Sequence, residues 1–208
     1  MIFNKSLYRV FLAIVLLLQT SNAISEDISE DISFDYVEMF YSSDTVDTDS
    51  SIDNTKGDGI GFVLSLGFST SFAMKLAVSS TTFRTFQNID VDSSKMSSLG
   101  VTAHTSVASG TAIFGDLSAL KAETVATVGA EEISDDDIGG IISIGLRHVA
   151  TEGLELELVA THMDVFGYTV NGYKASGRLF IRKKFSIGFG YSDNDDLESL
   201  FLNVRMNI

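Results

Sequence analysis

Residues 185–208 alternate between apolar and polar side chains. The apolar positions share one parity in each of two runs, which are Phe185, Ile187, Phe189 and Tyr191, then Leu200, Leu202, Val204, Met206 and Ile208. A period of two is that of a β-strand with one apolar and one polar face. A chain that ends inside a strand needs a partner for that strand. A closed barrel supplies the partner, because its last strand pairs with its first.

The same alternation recurs from residue 34 onward. In the clearest segment, Gly59–Phe68, every even-numbered residue is Ile, Phe or Leu. The chain has no Pro, which agrees with a sheet that needs nearly every backbone N–H. We therefore predict an all-β fold, an antiparallel up-and-down barrel of about ten strands, with eight as the alternative. The strands predicted before the closing hairpin are Phe34–Ser42, Gly59–Phe68, Phe72–Phe83, Met96–Thr105, Gly115–Val128, Ile138–His148, Leu154–Met163 and Tyr168–Arg182.

The fifth predicted strand changes parity. Leu117 and Ala119 share one parity, whereas the apolar residues after them take the other. A bulge near Ala119–Leu120 would restore a single outward face. It would also turn Lys121 and Glu123 inward.

The first 23 residues have the pattern of an export signal. The basic residues Lys5 and Arg9 precede the apolar run Val10–Leu18, and the small residues Ser21-Asn22-Ala23 follow it. The run is shorter than the roughly 20 residues that a spanning helix needs. We predict a cleaved signal peptide at 1–23, a flexible periplasmic lead-in at 24–33 and a barrel at 34–208.

The charge and the cysteine count exclude two classes of protein. Cleavage leaves 12 Lys and Arg against 28 Asp and Glu, a net charge of −16. So acidic a chain is not expected to bind nucleic acid, whose recognition depends on Lys and Arg at phosphates. The chain has no Cys, so an exported protein of this length cannot rely on disulfides. Both features agree with a closed sheet.

The links between the predicted strands alternate in acidity. Four links are short and nearly free of acidic residues: Ser69-Thr70, Val107–Ala112, Val149–Gly153 and Arg182–Lys184. The others contain Asp, and most are longer: Ser43–Asp58, Arg84–Lys95, Gly129–Asp137, Asp164–Gly167 and Asp193–Leu197. Short turns on one rim and long loops on the other are typical of a transmembrane barrel. The pattern predicts an outer-membrane barrel with both of its ends on the periplasmic side.

A soluble barrel such as a lipocalin is the alternative fold, because its strands also alternate. In a soluble barrel the apolar face points inward and the polar face meets water. The polar face of this chain is rich in Gly and Ser and carries charges of both signs. Such a face suits a narrow interior, and the sequence therefore favours the membrane barrel.

Four short runs carry a resemblance to a known family: Gly145-Leu-Arg147, Leu154-Glu-Leu-Glu157, Gly188-Phe-Gly-Tyr-Ser192 and Asn203-Val-Arg205. In order and spacing, over about residues 34–208, the chain resembles small Gram-negative outer-membrane barrel proteins of the porin-like, outer-membrane-protein-A transmembrane type. The resemblance implies outer-membrane lipid, lipopolysaccharide and the barrel insertion machinery as partners. Such barrels usually end in an aromatic residue that this machinery reads, whereas this chain ends in Ile208 with the outward apolar parity.

Six charged residues fall on the inward parity of their strands: Arg147, Glu155, Glu157, Lys174, Arg178 and Arg205. A charge in a small lumen must be paired or hydrated. We therefore predict a lumen charge network. Its charges either interlock and seal the barrel, which is the favoured reading, or line a selective pore.

The sequence offers weak candidates for a metal site and for catalysis. The run Asp47-x-Asp49-x-Ser51-x-Asp53 imitates a calcium loop but has Ile52 where such a loop needs Gly. We expect neither a metal nor a cofactor. His104 with Ser106, and His162 with Asp164, resemble pairs used by outer-membrane lipid A deacylases and omptin-like proteases. The first pair falls near the periplasmic turn, and the second lacks a recognisable companion acidic pair.

The function expected from the sequence is a structural or surface-interaction role through acidic extracellular loops. We expect a monomer that is not an enzyme. The first alternative is a narrow passive porin-like channel. The second is a lipid-modifying or proteolytic barrel enzyme.

Overall fold

Ten antiparallel strands form a closed barrel in the computed structural model, which describes residues 32–46, 55–83, 89–128, 131–182, 184–195 and 197–208. The strands are β1 (Tyr36–Val46), β2 (Thr55–Gly67), β3 (Phe72–Phe83), β4 (Ile89–Ala108), β5 (Thr111–Val128), β6 (Glu131–Thr151), β7 (Leu154–Val165), β8 (Tyr168–Arg182), β9 (Phe185–Asn194) and β10 (Leu197–Asn207). The all-β, up-and-down fold with ten strands is confirmed.

Each strand pairs with its neighbours in sequence, and β1 closes the sheet against β10. This seam runs without a register shift from Tyr36 opposite Asn207 to Val46 opposite Leu197. Closure matters because an open edge would expose a row of backbone donors and acceptors. The described part of the chain contains no helix long and apolar enough to cross a membrane. The predicted signal peptide, at 1–23, lies outside the described residues.

The two rims of the barrel differ in the links they hold. The rim where β1 begins and β10 ends, here called the terminal rim, also holds the links 68–71, 109–110, 152–153 and 183–184. The opposite rim, here called the loop rim, holds the links 47–54, 84–88, 129–130, 166–167 and 195–196. At 166–167 both residues have positive φ, 54° at Phe166 and 69° at Gly167. Positive φ at both central positions is typical of the tightest hairpin turns.

All five of the predicted loops at the loop rim were too long, and two of them consist mostly of strand. The predicted link Arg84–Lys95 is largely strand, because β4 begins at Ile89. The predicted link Gly129–Asp137 is almost entirely strand, because β6 begins at Glu131. The sequence predicts loops here because these strand ends are acidic. Strand ends that extend into solvent beyond the rest of a sheet can carry charged side chains. As a result β4, β5 and β6 are the longest strands and extend beyond their neighbours at the loop rim.

The apolar parity points out of the barrel and the charged parity points into it. Met39, Ile144 and Leu200 are each about two-thirds exposed, at 65%, 67% and 65%. Arg147 and Arg178, in contrast, are only 3% exposed. Outward apolar residues of β10 continue over eight residue steps to Ile208, which is about 27 Å along a strand and roughly 20 Å of height at the usual tilt.

The predicted bulge in β5 is wrong. β5 keeps one register with β6 along its whole length, so Leu117 and Lys121 share the outward face and Leu120 faces inward. Leu120 and Ala122 are buried in an apolar cluster with Val165, packed by Met96, Ile141, Met163 and Phe166. The parity change therefore reflects an apolar section of the lumen. The outward Lys121 and Glu123 lie beyond the apolar residues of the outer face.

Three inward glycines make room for aromatic rings of the neighbouring strand. The register pairs are Gly61 with Phe40, Gly145 with Phe114, and Gly190 with Phe201. A Cβ at any of the three glycines would collide with the ring of its partner. Rings laid over cross-strand glycines pack inside the barrel without widening it.

Candidate functional site: the lumen charge cluster

All six of the predicted lumen charges point into the barrel, on four of its strands. They lie on β6 (Arg147), β7 (Glu155, Glu157), β8 (Lys174, Arg178) and β10 (Arg205). The regular register explains the placement, because Arg147 stands opposite Glu157, and Glu155 opposite Arg178. Directly opposed residues have Cβ atoms about 5 Å apart, close enough for side chains of opposite charge to meet.

Glu157 joins two cations. Arg147 donates from Nε to one carboxylate oxygen at 2.7 Å, and the Lys174 ammonium lies 2.6 Å from the other oxygen. The Arg147 and Glu157 side chains are almost completely buried, whereas Lys174 keeps about a third of its surface exposed. Lys174 therefore marks the wetter end of this group.

Glu38, on β1, joins two further cations across the seam of the barrel. Arg178 donates from Nη2 to Glu38 at 2.8 Å, and Arg205 donates from Nε to the same oxygen at 2.7 Å. Arg178 also donates from Nη1 to Glu155 at 2.6 Å. Contacts from β1 to β8, and from β8 to β7, tie together strands that are not all neighbours, so these side chains span the lumen and do not merely line it.

Aromatic rings connect the two groups of charges. The guanidinium of Arg205 lies 3.8 Å from the centroid of the Tyr36 ring, and that of Arg147 lies 5.3 Å from it. Both distances are within the range of cation–π attraction, which is strongest for desolvated groups. The Tyr36 ring thus lies between two positive charges and attracts both of them.

The segment before β1 covers the cluster at the terminal rim. Phe34 is buried, stacks on His104 with 3.9 Å between ring centroids, and lies beneath the Arg147 guanidinium at 4.6 Å. The Ser33 carbonyl accepts a hydrogen bond from Arg147 at 3.1 Å, and the Phe34 carbonyl accepts one from Ser65 at 2.5 Å. This segment therefore closes the terminal mouth of the lumen.

A separate ion pair occupies the opposite wall. The Lys75 ammonium, on β3, lies 3.1 Å from the carboxylate of Asp116, on β5. Thr102, on β4 between them, donates its hydroxyl hydrogen to the same carboxylate. The three residues are register neighbours or near neighbours, so the pair reinforces three adjacent strands.

Apolar side chains occupy two sides of the lumen toward the loop rim. Phe40 and Phe201 lie over their glycine partners on the side where the seam closes. The Leu120 cluster lies on the facing wall. The lumen thus holds charges toward the terminal rim and rings and apolar groups above them, beside a cavity of about 930 Å³ lined in part by Phe40, Met96 and Asn203.

The sequence did not identify Glu38, Tyr36 or Phe34 as part of this cluster. The alternation in β1 puts Glu38 on the other face from Val37 and Met39, and this pattern was the available signal that Glu38 faces the lumen. The alternation in β1 could not predict the partner of Glu38, because Arg178 is 140 residues away in sequence. That contact follows from barrel closure and from the width of the lumen.

The histidines of the two candidate catalytic pairs lie in different parts of the barrel. His104 is the stacking partner of Phe34 inside the terminal rim. His162 lies on the outer face of β7, where its Nδ1 is 2.8 Å from the side-chain oxygen of Asn171. The calcium-like run, Asp47 to Asp53, lies outside the described residues. The described residues contain no group of three or more His, Cys, Asp or Glu side chains placed to hold a metal ion.

The sequence matches no protein-family model and no curated protein. Three solved structures are similar in fold. The attachment invasion locus protein Ail of Yersinia pestis is 12% identical, with a TM-score of 0.40, over 83% of this chain and 95% of that chain. Neisserial surface protein A is 13% identical, with a TM-score of 0.44, over 86% and 100%. The translocator domain of the autotransporter NalP from Neisseria meningitidis is 8% identical, with a TM-score of 0.48, over 96% and 98%.

Proposed function

We propose that this chain is an outer-membrane β-barrel protein of a Gram-negative bacterium, with a sealed lumen and a structural or surface-interaction role. In this proposal the terminal rim faces the periplasm and the loop rim faces the exterior. The acidic side chains of the loop rim carry the interaction.

One observation carries the proposal: the barrel is apolar outside and charged inside. A soluble barrel has the reverse arrangement, because water favours charges on its outer surface. The outer face of β10 alone presents Leu200, Leu202, Val204 and Met206, each between about two-fifths and two-thirds exposed. A continuous apolar exterior is stable where lipid covers it.

Tyrosines on the outer face support a membrane boundary toward the loop rim. The Tyr41 hydroxyl donates to Asp58 at 2.6 Å, and the Tyr173 hydroxyl donates to Asp193 at 2.9 Å. The Tyr191 ring lies next to that of Tyr173. Amphipathic aromatic rings with carboxylates on their outer side are typical of the level where the hydrocarbon meets the headgroups.

The paired charges support a sealed lumen and not a channel. Glu38 is held by two arginines, and Phe34 covers Arg147 at the terminal mouth. Opening a path would separate buried ion pairs, and each broken pair costs about 3–5 kcal/mol because it leaves a charge without its partner. We also propose that the protein is not an enzyme. The stacking of Phe34 on one face of the His104 ring supports this for the first of the two candidate pairs.

Three partners belong to the proposal. Outward Lys95 and Lys121, both more than half exposed, suit contact with lipopolysaccharide phosphates. The outer membrane lipid covers the apolar face. The barrel insertion machinery would act at the β1–β10 seam, next to the exposed Ile208. We propose a monomer, which light scattering of the detergent-solubilised protein can test.

Fractionation and conductance together test the function. We expect the expressed protein in the outer-membrane fraction, with gel migration that changes on heating, as is usual for closed barrels. In planar bilayers the inserted protein should give no stepwise current. Recovery of the protein only from the soluble periplasm would contradict the membrane location. Stepwise current from the wild-type protein would contradict the sealed lumen and favour the channel.

A matched pair of variants assigns any seal to the charge cluster. Arg178→Ala removes a buried side chain that contacts Glu38 and Glu155. Arg182→Ala removes the same side chain from an exposed position at the end of the same strand. We expect intermittent current from Arg178→Ala and none from Arg182→Ala.

A further inference from the structure

Strand β6 has an uncovered edge at the loop rim. Its residues from Glu131 to Asp136 pair with β5, in regular register from Val128 to Glu123. On its other side β6 pairs with β7 only from Gly140 onward. Of the described residues, none forms a strand beside Glu131–Asp136.

The turn between β7 and β8 covers only the start of this gap. The Phe166 backbone N–H donates to the Asp137 carboxylate. Gly139 lies so close to Asp164 that a Cβ there would collide with its backbone carbonyl. Beyond Asp137 the edge is open over six residues, and in an antiparallel sheet alternate residues point their N–H and C=O away from the existing partner. The open edge therefore offers roughly three donor and acceptor pairs.

The side chains along this edge, here called the β6 edge, are acidic and well exposed. Glu131, Asp135 and Asp136 are all exposed. Asp136 lies 3.4 Å from Lys121, whereas no ion pair of Glu131 or Asp135 occurs among the described residues. One large apolar side chain, Ile133, interrupts the acidic run and is 54% exposed.

Charges at an edge often serve only to prevent pairing between copies of a protein. The β6 edge does keep copies apart, because two acidic edges repel each other. It lacks the other devices that block pairing, since the paired segment has no Pro and no bulge. It also keeps Ile133 exposed, which a purely protective edge would not need. A regular open ladder with negative charge and apolar contacts is suited to one kind of partner.

We propose that the β6 edge binds an extended, basic segment of another protein by strand addition. The backbone of the partner supplies the missing hydrogen bonds, as in other cases where a peptide joins a sheet. Its Lys or Arg side chains meet Glu131 and Asp135, and its apolar side chains pack on Ile133. This inference rests on the proposed surface role and gives the class of partner.

The test uses the full barrel in detergent micelles and a fluorescent nine-residue peptide, Lys-Thr-Val-Thr-Lys-Thr-Val-Thr-Lys, whose odd positions present Lys and Val by turns on one face of a strand. We expect saturable binding by fluorescence anisotropy that weakens as salt is raised. The same peptide methylated at every backbone nitrogen keeps its charges but cannot donate backbone hydrogen bonds. We expect it not to bind. Hydrogen exchange should slow at Glu131–Asp136 only when the unmethylated peptide is present.

Paired charge variants separate the β6 edge from the general acidity of the protein. The double variant Glu131→Gln with Asp135→Asn should weaken binding about fivefold, since each exposed ion pair contributes modestly. The double variant Glu152→Gln with Glu198→Gln makes the same change of charge elsewhere. It should bind the peptide like the wild type. Both variants change exposed residues, and heat-modifiable migration verifies that each is folded.

Three results would overturn the inference: no binding of the unmethylated peptide, equal binding of the methylated peptide, or equal weakening by the two double variants. The second and third would mean general attraction to an acidic surface. None of them touches the proposed function. That function fails instead if the same preparation conducts in bilayers or does not insert into membranes.

Discussion

Two inward serines differ in what their hydroxyls bond. Ser65 and Ser186 are both almost fully buried, and Ser65 donates to the Phe34 carbonyl at 2.5 Å. The Ser186 hydroxyl has no hydrogen-bond partner among the described residues. Removing a bonded hydroxyl leaves a buried carbonyl unpaired, whereas removing an unbonded one leaves nothing unpaired.

We therefore expect Ser65→Ala to lower the free energy of unfolding by about 1–2 kcal/mol. Ser186→Ala should change it by less than about 0.5 kcal/mol, in either direction. Urea unfolding of the protein folded into lipid vesicles measures both values. Equal losses from the two substitutions would contradict the contact between the segment before β1 and β2.

Glycine positions differ in how much space surrounds them. A Cβ at Gly190 would lie 2.7 Å from the Ala175 carbonyl oxygen and would also strike the Phe201 ring. A Cβ at Gly115 would meet only the Ser143 carbonyl oxygen, at 3.7 Å. We expect Gly190→Ala to destabilise the barrel by about 1–3 kcal/mol, because the added methyl group has no free space at this position.

Gly115→Ala is the control for that experiment. It adds the same methyl group on the outward face of β5 and should change the free energy of unfolding by less than about 0.5 kcal/mol. If Gly190→Ala were as well tolerated, the lumen would be wider than the ring-over-glycine packing implies.

Glu38 is the residue on which two arginines converge. Glu38→Gln removes the charge that Arg178 and Arg205 share, and we expect a loss of about 3–5 kcal/mol in the free energy of unfolding. Glu123→Gln changes a half-exposed carboxylate that lies 3.7 Å from Lys95. It should cost less than about 1 kcal/mol. Similar losses from both variants would mean that the cluster is hydrated and not buried.

At the scale of the strand, β5 marks where the outer face changes from apolar to charged. Leu117 and Lys121 lie four residues apart on that face, with Ala119 between them. We expect Leu117→Lys to cost about 2–4 kcal/mol in vesicles, as charges on the lipid face do near the midplane. Lys121→Leu should cost less than about 1 kcal/mol. Reversed effects would place the membrane at the other end of the strand.

The alternation in the sequence was enough to locate the strands, but it did not locate most of their ends. Alternation located β3 and β8 with their observed bounds, Phe72–Phe83 and Tyr168–Arg182. At the loop rim, Glu131 and Asp135 look like loop residues because most strands avoid acidic side chains. They are nevertheless in β6, where hydrogen bonds to β5 stabilise the backbone and the side chains remain in solvent.

The parity change in β5 shows a second limit of reading patterns. The sequence predicts a bulge because it assumes that every apolar run faces outward. Leu120 instead faces a lumen section lined by Met96 and Ile141. Which inward positions are polar depends on the height of neighbouring strands in the barrel, and this is a property of the closed sheet.

At the scale of the whole molecule, closure joins residues that no local pattern connects. The charges of β6, β7 and β8 were predicted as a group because those strands are adjacent in sequence. Glu38 enters the group because β1 pairs with β10, and Phe34 because the chain before β1 turns back into the terminal mouth. The interior is therefore assembled from both ends of the chain, and it forms only when the barrel closes.

The central claim is that lipid covers the outward parity and not the inward one. The chain has no Cys, so single cysteines can carry a fluorescent label without competition. In vesicles containing a quencher fixed to the lipid tails, we expect quenching of labels at Leu202 and Val204 on β10. Labels at Ser199 and Phe201, on the inward parity of the same strand, should be protected. Quenching without alternation, or with the opposite alternation, would contradict the membrane barrel.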